Sequence, residues 1–369
     1  VSLDAAADDI GRGTVVVDAS VSLTTGGHAL SLTANVVSFN GTLNSGAGLV
    51  TITDSDGTGI GLIPLNTDDV LGRLNLSQAD LNMITSTAGL TLQTSAGILV
   101  NGITPPTNLS GTLTLDAGTS ITFSGTQSSF ASLDAQADDG INVDVNLSTT
   151  GDLTLNGDAN DADDGNSNDD ISFANNVVVS AGGALSVSAT TGELSGGTNL
   201  TFQVGDTLTI GDPLTVTGTL TIIDASGNGI ILGGATATNE LKLTDADLDN
   251  ITATNLIFNT TGNITVDGVT QPNTISGGIE LNATDATSVV TFKTTASTFG
   301  TLDVNADAGV SIEIGVTTSG AVTLDADADD NDTGNLVVAA SGSLTTGGNA
   351  LSITANDVAL AGSLNSGAG

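Results

Sequence analysis

Residues 22–48 read SLTTGGHALSLTANVVSFNGTLNSGAG, and residues 343–369 read SLTTGGNALSITANDVALAGSLNSGAG. The offset is 321 residues, and it holds without a gap back to Val1, which matches Val322. Over the 48 paired positions, 32 are identical. Repetition on that scale decides how the rest must be read, because repeated segments of one chain bury their apolar faces against one another. The chain reads as a little more than one period of a tandem array, and so as a window of a longer protein.

A looser repeat lies inside the long one. Asp54-Ser55-Asp56-Gly57-Thr58-Gly59-Ile60 resembles Asp224-Ala225-Ser226-Gly227-Asn228-Gly229-Ile230, and Phe130-Ala131-Ser132-Leu133 resembles Phe299-Gly300-Thr301-Leu302. Ala79-Asp80-Leu81 matches Ala246-Asp247-Leu248 in the same way. The expected organisation is one continuous solenoid over 1–369, with modules of about 1–153 and 154–321 and a partial third copy, 322–369.

Within each module, short runs alternate apolar residues with Thr, Ser or an acid. Val50-Thr51-Ile52-Thr53, Thr112-Leu113-Thr114-Leu115 and Leu185-Ser186-Val187-Ser188 are examples. Period two, bounded by Gly, Asn and Asp, predicts half-buried strands. The one helix signal is a single turn at Asp80–Ile84, with its counterpart at Asp247–Ile251. Strand cores recur about every 20 residues, as at Leu115, Leu133 and Leu155, or Ile279, Leu302 and Leu324. One such strand cannot hide its apolar face, so the chain must coil until equivalent strands stack about 4.8 Å apart. The predicted fold class is all-β: a parallel β-solenoid forming an elongated rod. Phe123 with Phe292, and Phe130 with Phe299, mark equivalent inward positions. Gly and Asn supply the corners, and Asn residues in register can form side-chain ladders. Separate β-sandwich domains would need linkers and a longer period.

Composition narrows the role. The chain carries 41 acids against 4 basic residues, a formal charge of −37, with 38% hydrophobic residues. A disordered acidic tail lacks that much apolar material. Such a surface repels nucleic acid and anionic lipid, and no apolar run approaches the roughly 20 residues of a membrane helix. With Cys 0, disulfides and thiolate metal sites are excluded.

Units such as Gly111-Thr112-Leu113-Thr114-Leu115-Asp116-Ala117, Gly151-Asp152-Leu153-Thr154-Leu155 and Gly183-Ala184-Leu185-Ser186-Val187-Ser188-Ala189 resemble the repeats of filamentous haemagglutinin-like exoproteins. These are the large adhesins of two-partner secretion and related autotransporters in Gram-negative bacteria. The resemblance implies a right-handed parallel β-helix, export across the outer membrane, and a shaft that displays or forms adhesive surface.

The acidic turns are the candidate sites. Asp158, Asp161, Asp163, Asp164 and Asp169 crowd one segment, and Asp325, Asp327, Asp329, Asp330 and Asp332 crowd its equivalent. Alternating Asp offers several hard oxygens to one ion, which is calcium chemistry. Asp161, Asp163, Asp325, Asp327 and Asp329 are therefore the candidate calcium ligands, weighed against a solvated acidic turn that binds counterions diffusely, which is the favoured reading. His28 is matched by Asn349 in the repeat, which argues for a surface turn and against a His-dependent triad. Acids in repeated turns, with Trp 0 and Tyr 0, do not make the unique carboxylate pair and aromatic platform of a glycosidase. The expected role is the structural shaft of a giant secreted or cell-surface bacterial fibre, not an enzyme. An adhesin segment that binds a glycan or receptor is the alternative. Expected partners are further copies of the repeat in a longer chain, and lateral or end-to-end self-association, with no nucleic acid and no membrane insertion.

Overall fold

The structure is a computed structural model that describes residues 1–5, 13–64, 72–160, 169–234, 239–272 and 274–367. Two compact units, Val1–Ser195 and Gly196–Gly369, divide the chain. Each is a parallel β-solenoid: every strand pairing given below is parallel, and each coil contributes strands to successive ladders.

In the first unit, the main ladder sets Leu30, Val50, Leu90, Leu113, Leu133, Leu153 and Leu185 side by side. Two residues on, Leu32, Ile52, Leu92, Leu115, Ala135, Leu155 and Val187 form the next row. A second ladder aligns Ile60, Ile98, Ile121, Ile141 and Ile171. A third sets Phe130 beside Thr149 and Thr149 beside Ala181. The second unit repeats the plan. Leu200, Leu220, Leu256, Ile279, Leu302, Val322 and Leu351 form its main row. Ile230, Ile264, Val290, Val310, Leu336 and Val358 form the second, and Val316, Leu344 and Leu364 the third.

Alternation places these residues inside, except in the last coil, where Val358 is exposed and Leu351 and Leu364 are half-buried. Strand Leu113–Ala117 buries its first, third and fifth residues and leaves Thr114 and Asp116 half-exposed. In the main and second ladders apolar residues therefore meet apolar residues along the axis, and each fully buried Leu, Ile or Phe contributes about 1.5–3 kcal/mol. Phe123, Phe130, Phe292 and Phe299 all point inward. Phe292 and Phe299 meet edge to face, with centroids 6.2 Å apart.

Register differs from the sequence expectation in one respect. Leu133 stands beside Leu113 and Leu153, while Leu115 and Leu155 stand beside Ala135. Likewise Leu302 stands beside Val322, and Leu324 beside Val304. Counting from leucine to leucine slipped by one pair, because Ala135 takes an inward position that a leucine count ignores. Coils also vary in length: Leu30 to Val50 is 20 residues, whereas Val50 to Leu90 is 40.

The long coil explains itself. Strand Ile60–Ile63 pairs with Ile98–Val100 on one side and with Leu74–Ser77 on the other. The chain doubles back to insert an extra parallel strand, then a five-residue helix α1, Gln78–Asn82. The second unit does the same with Ile230–Gly233, Leu241–Leu243 and helix α2, Asp245–Asp249. A single turn is marginal alone, so each is held by a capping box. Ser77 N–H donates to Asp80 Oδ2 (2.9 Å) and Asp80 N–H donates to Ser77 Oγ (3.2 Å). Thr244 and Asp247 repeat the pair at 2.6 and 3.2 Å.

Candidate acidic corner

Acids gather at one corner of the coil, where the chain leaves a main-ladder strand and enters a second-ladder strand. The sharpest version occurs twice. Asp54 follows Val50 and Ile52 in step, so its side chain turns inward and is 5% exposed. Its Oδ2 accepts the Gly59 N–H (2.9 Å) and the Thr94 hydroxyl from the next coil (2.9 Å). Asp224 does the same with Gly229 N–H (2.7 Å) and the Thr260 hydroxyl (2.8 Å). Gly59 and Gly229 have φ of 106° and 112°, and a Cβ on either would lie 2.6 or 2.5 Å from a carbonyl oxygen of the neighbouring coil. Only glycine fits there. Burial, first, pushes the Asp54 carboxyl above its ordinary range. On Asp56 the upward push of burial is outweighed by the Thr58 hydroxyl and by further hydrogen bonds, which leave it low.

Further along, acids stack between coils. Burial, then the like charges of Asp116 and Asp139, raises Asp138. Burial, then Asp329, Asp285, Asp325 and Asp327, raises Asp307. On the main face, Glu280 and Asp303 stand in register, and burial with the Glu280 charge raises Asp303. Beside them the expected amide ladder is present. Asn282 Nδ2 donates to Asn259 Oδ1 (2.7 Å), and Asn305 Nδ2 donates to Asn282 Oδ1 (2.8 Å).

Of the candidate calcium ligands, Asp161 and Asp163 lie outside the described residues. The other three do not converge. Asp327 is buried, and its carboxylate accepts Asp332 N–H (3.1 Å) and Gly334 N–H (3.3 Å). Asp325 accepts Asp327 N–H (3.2 Å), and Asp329, exposed, accepts the Asn331 amide (2.7 Å). The turn is thus closed by its own backbone. Among the described residues, no three His, Cys, Asp or Glu side chains gather as a metal group.

Sequence reading missed the inward Asp54 and Asp224. The signal was available: both fall in step with the buried positions of their strands. His28 is exposed in the turn Thr25–His28, and Asn349 takes the same place in Thr346–Asn349, where the Thr346 hydroxyl donates to the Asn349 carbonyl (2.6 Å). A surface groove of about 590 Å³ is lined by Thr270, Gln271, Thr298, Thr301, Thr317 and Ser319 among others.

Comparison of the chain with protein-family models, with curated proteins and with solved structures gives no match. No helix among the described residues is long and apolar enough to cross a membrane.

Proposed function

We propose that this chain is a structural shaft segment of a large bacterial surface or secreted fibre, similar in plan to filamentous haemagglutinin-like exoproteins. The observation that carries the reading is the register of the ladders. Identical or closely similar side chains meet coil after coil, inside as Leu, Ile and Val and outside as the Asn259–Asn282–Asn305 amide row. Such a plan extends by repetition, with each coil stabilising its neighbours. Among the described residues its acids are spread over a repeated corner, where they hold turns, and are not drawn into one reactive constellation. The work is mechanical: length, stiffness and display on the outer surface, with further copies of the repeat and self-association as partners.

A second reading has one observation in its favour. The Thr-rich groove beside Gly277 and Gly300 offers hydroxyls and amides, with Phe299 beneath, as a site for a sugar or receptor. Electron microscopy of the native material and a cell-binding assay with the purified chain separate the two. Filaments or sheaths without cell binding support the shaft; saturable cell binding that competes with free glycan supports the adhesin. Isolated globular particles would overturn both.

A further inference from the structure

We propose that Asp158 and Asp169, held by Thr191, bind one calcium ion in the first unit, at a place where the second unit binds none. The inference is independent of the fibre reading. Asp158 follows strand Leu153–Asn156 and is 0% exposed; Asp169 precedes strand Ile171–Phe173 and is 4% exposed. The two flank residues 161–168. Thr191 comes from the following coil, just past strand Leu185–Ser188.

The hydrogen bonds leave a deficit. Asp158 Oδ2 accepts the Thr191 N–H (2.8 Å) and the Thr191 hydroxyl (2.9 Å). The same hydroxyl lies 3.1 Å from Asp169 Oδ2. Asp158 Oδ1, buried on the same carboxylate, has no hydrogen-bond partner at all. A buried carboxylate oxygen without a donor, beside a second buried carboxylate, is costly unless a cation or a proton neutralises it. The surroundings fix the pair in place. A Cβ on Gly157 or Gly192 would come within 2.9 or 2.3 Å of the Asp169 carbonyl oxygen, so both glycines pack directly against that residue.

The second unit supplies the control. Asp327 is the counterpart of Asp158 at an offset of 169, and the Asx contact before it recurs: Asp158 N–H donates to Asn156 Oδ1, as Asp327 N–H does to Asp325 Oδ1. There the turn to the next strand is shorter. Asp158 and Ile171 are 13 residues apart, but Asp327 and its ladder counterpart Leu336 only 9. The tighter turn brings two backbone N–H groups onto both Asp327 oxygens. Asp158 Oδ1 accepts none. Calcium suits the gap better than magnesium, because it accepts irregular sets of carboxylate, hydroxyl and water oxygens. With two carboxylates the affinity belongs in the weak range of extracellular modules, about 10⁻⁴–10⁻³ M.

The test is equilibrium dialysis of the full chain against calcium chloride in about 0.15 M KCl, which screens the diffuse ion atmosphere. One saturable site should stand above the linear background. Asp158→Asn and Asp169→Asn, each close in size to the original, should weaken it at least tenfold, with circular dichroism unchanged. Asp327→Asn should leave it intact. The proposal is overturned by the absence of a saturable site, by a site unchanged in both Asp158→Asn and Asp169→Asn, or by equal loss in Asp327→Asn. If Asp158→Asn does not fold, Asp169→Asn alone decides. A pair that takes up a proton near neutral pH and ignores calcium also overturns it.

Discussion

The carboxylate of Asp54 should be worth about 2–4 kcal/mol to the first unit. Removing it in Asp54→Ala leaves the Gly59 N–H and the Thr94 hydroxyl, which is 3% exposed, without their shared acceptor. Hydrogen bonds to a charged group contribute about 1.5–3 kcal/mol each. Burial of the charge, seen in the raised pKa of Asp54, offsets part of that sum. Thr94→Val removes one of the two bonds and should cost about 1–2 kcal/mol. Because both variants break the same contact, their effects should not add. The double-mutant cycle should give a coupling of about 1 kcal/mol or more. The measurement is urea unfolding followed by circular dichroism, with hydrogen exchange to localise the loss to residues 50–60 and 90–98. Asp224 and Thr260 offer the same experiment in the second unit and should give the same sign and a similar size. A coupling below about 0.3 kcal/mol in both units would refute the claim that these carboxylates hold the coils together.

Phe258→Ala should cost about 3–5 kcal/mol, because the ring is fully buried between Ile222 and Leu281 in the ladder. Thr221→Ala, on the outward side of the same sheet, should cost less than about 0.5 kcal/mol, and equal losses in urea unfolding would contradict the assigned faces. Acidity should stabilise the protein down to a limit. Asp54, Asp138, Asp303 and Asp307 hold protons more tightly when folded than the ordinary value of 3.8. Between that value and their folded values the native state binds more protons, so stability rises as pH falls through the window. Asp56 and Asp285, which are lowered, act the other way only below 3.8, where their hydrogen bonds to Thr58 and Thr287 are lost on protonation. The melting temperature in dilute buffer should thus be higher at about pH 5 than at about pH 7. A lower value at pH 5 would show that the stacked acids do not repel as described.

Much of this fold could be read from the chain because its rules are local. Period-two alternation placed Leu113, Leu115 and Ala117 on one face, and the module repeat placed Phe123 with Phe292 and Phe130 with Phe299. Register could not be read as well. It depends on Ala135 and Val322 taking positions that a count of leucines passes over, and on insertions such as Leu74–Ser77, which lengthen a coil without disturbing the ladder. The acidic corner was visible as composition but not as chemistry. Asp327 and Asp158 occupy equivalent places in the sequence. What separates them is that backbone N–H groups close onto both Asp327 oxygens, whereas at Asp158 only Oδ2 receives one, from Thr191 of the next coil. Local sequence carries no direct sign of that closure. Asp54 was legible in principle, since its parity with Val50 and Ile52 marks it as an inward residue.

The central claim is that neighbouring coils run parallel and in the stated register, and engineered cysteines test it most directly because the native chain has Cys 0. Thr114 with Asp134, and Thr291 with Ser311, face each other on adjacent strands, where Cα atoms about 4.8 Å apart fall within the disulfide range. Double variants T114C/D134C and T291C/S311C should oxidise to intramolecular disulfides with the fold unchanged. T114C/Q136C and T291C/E313C, displaced by two residues, should remain reduced. Efficient bonding in the displaced pairs, or none in the matched ones, would contradict the stacked architecture.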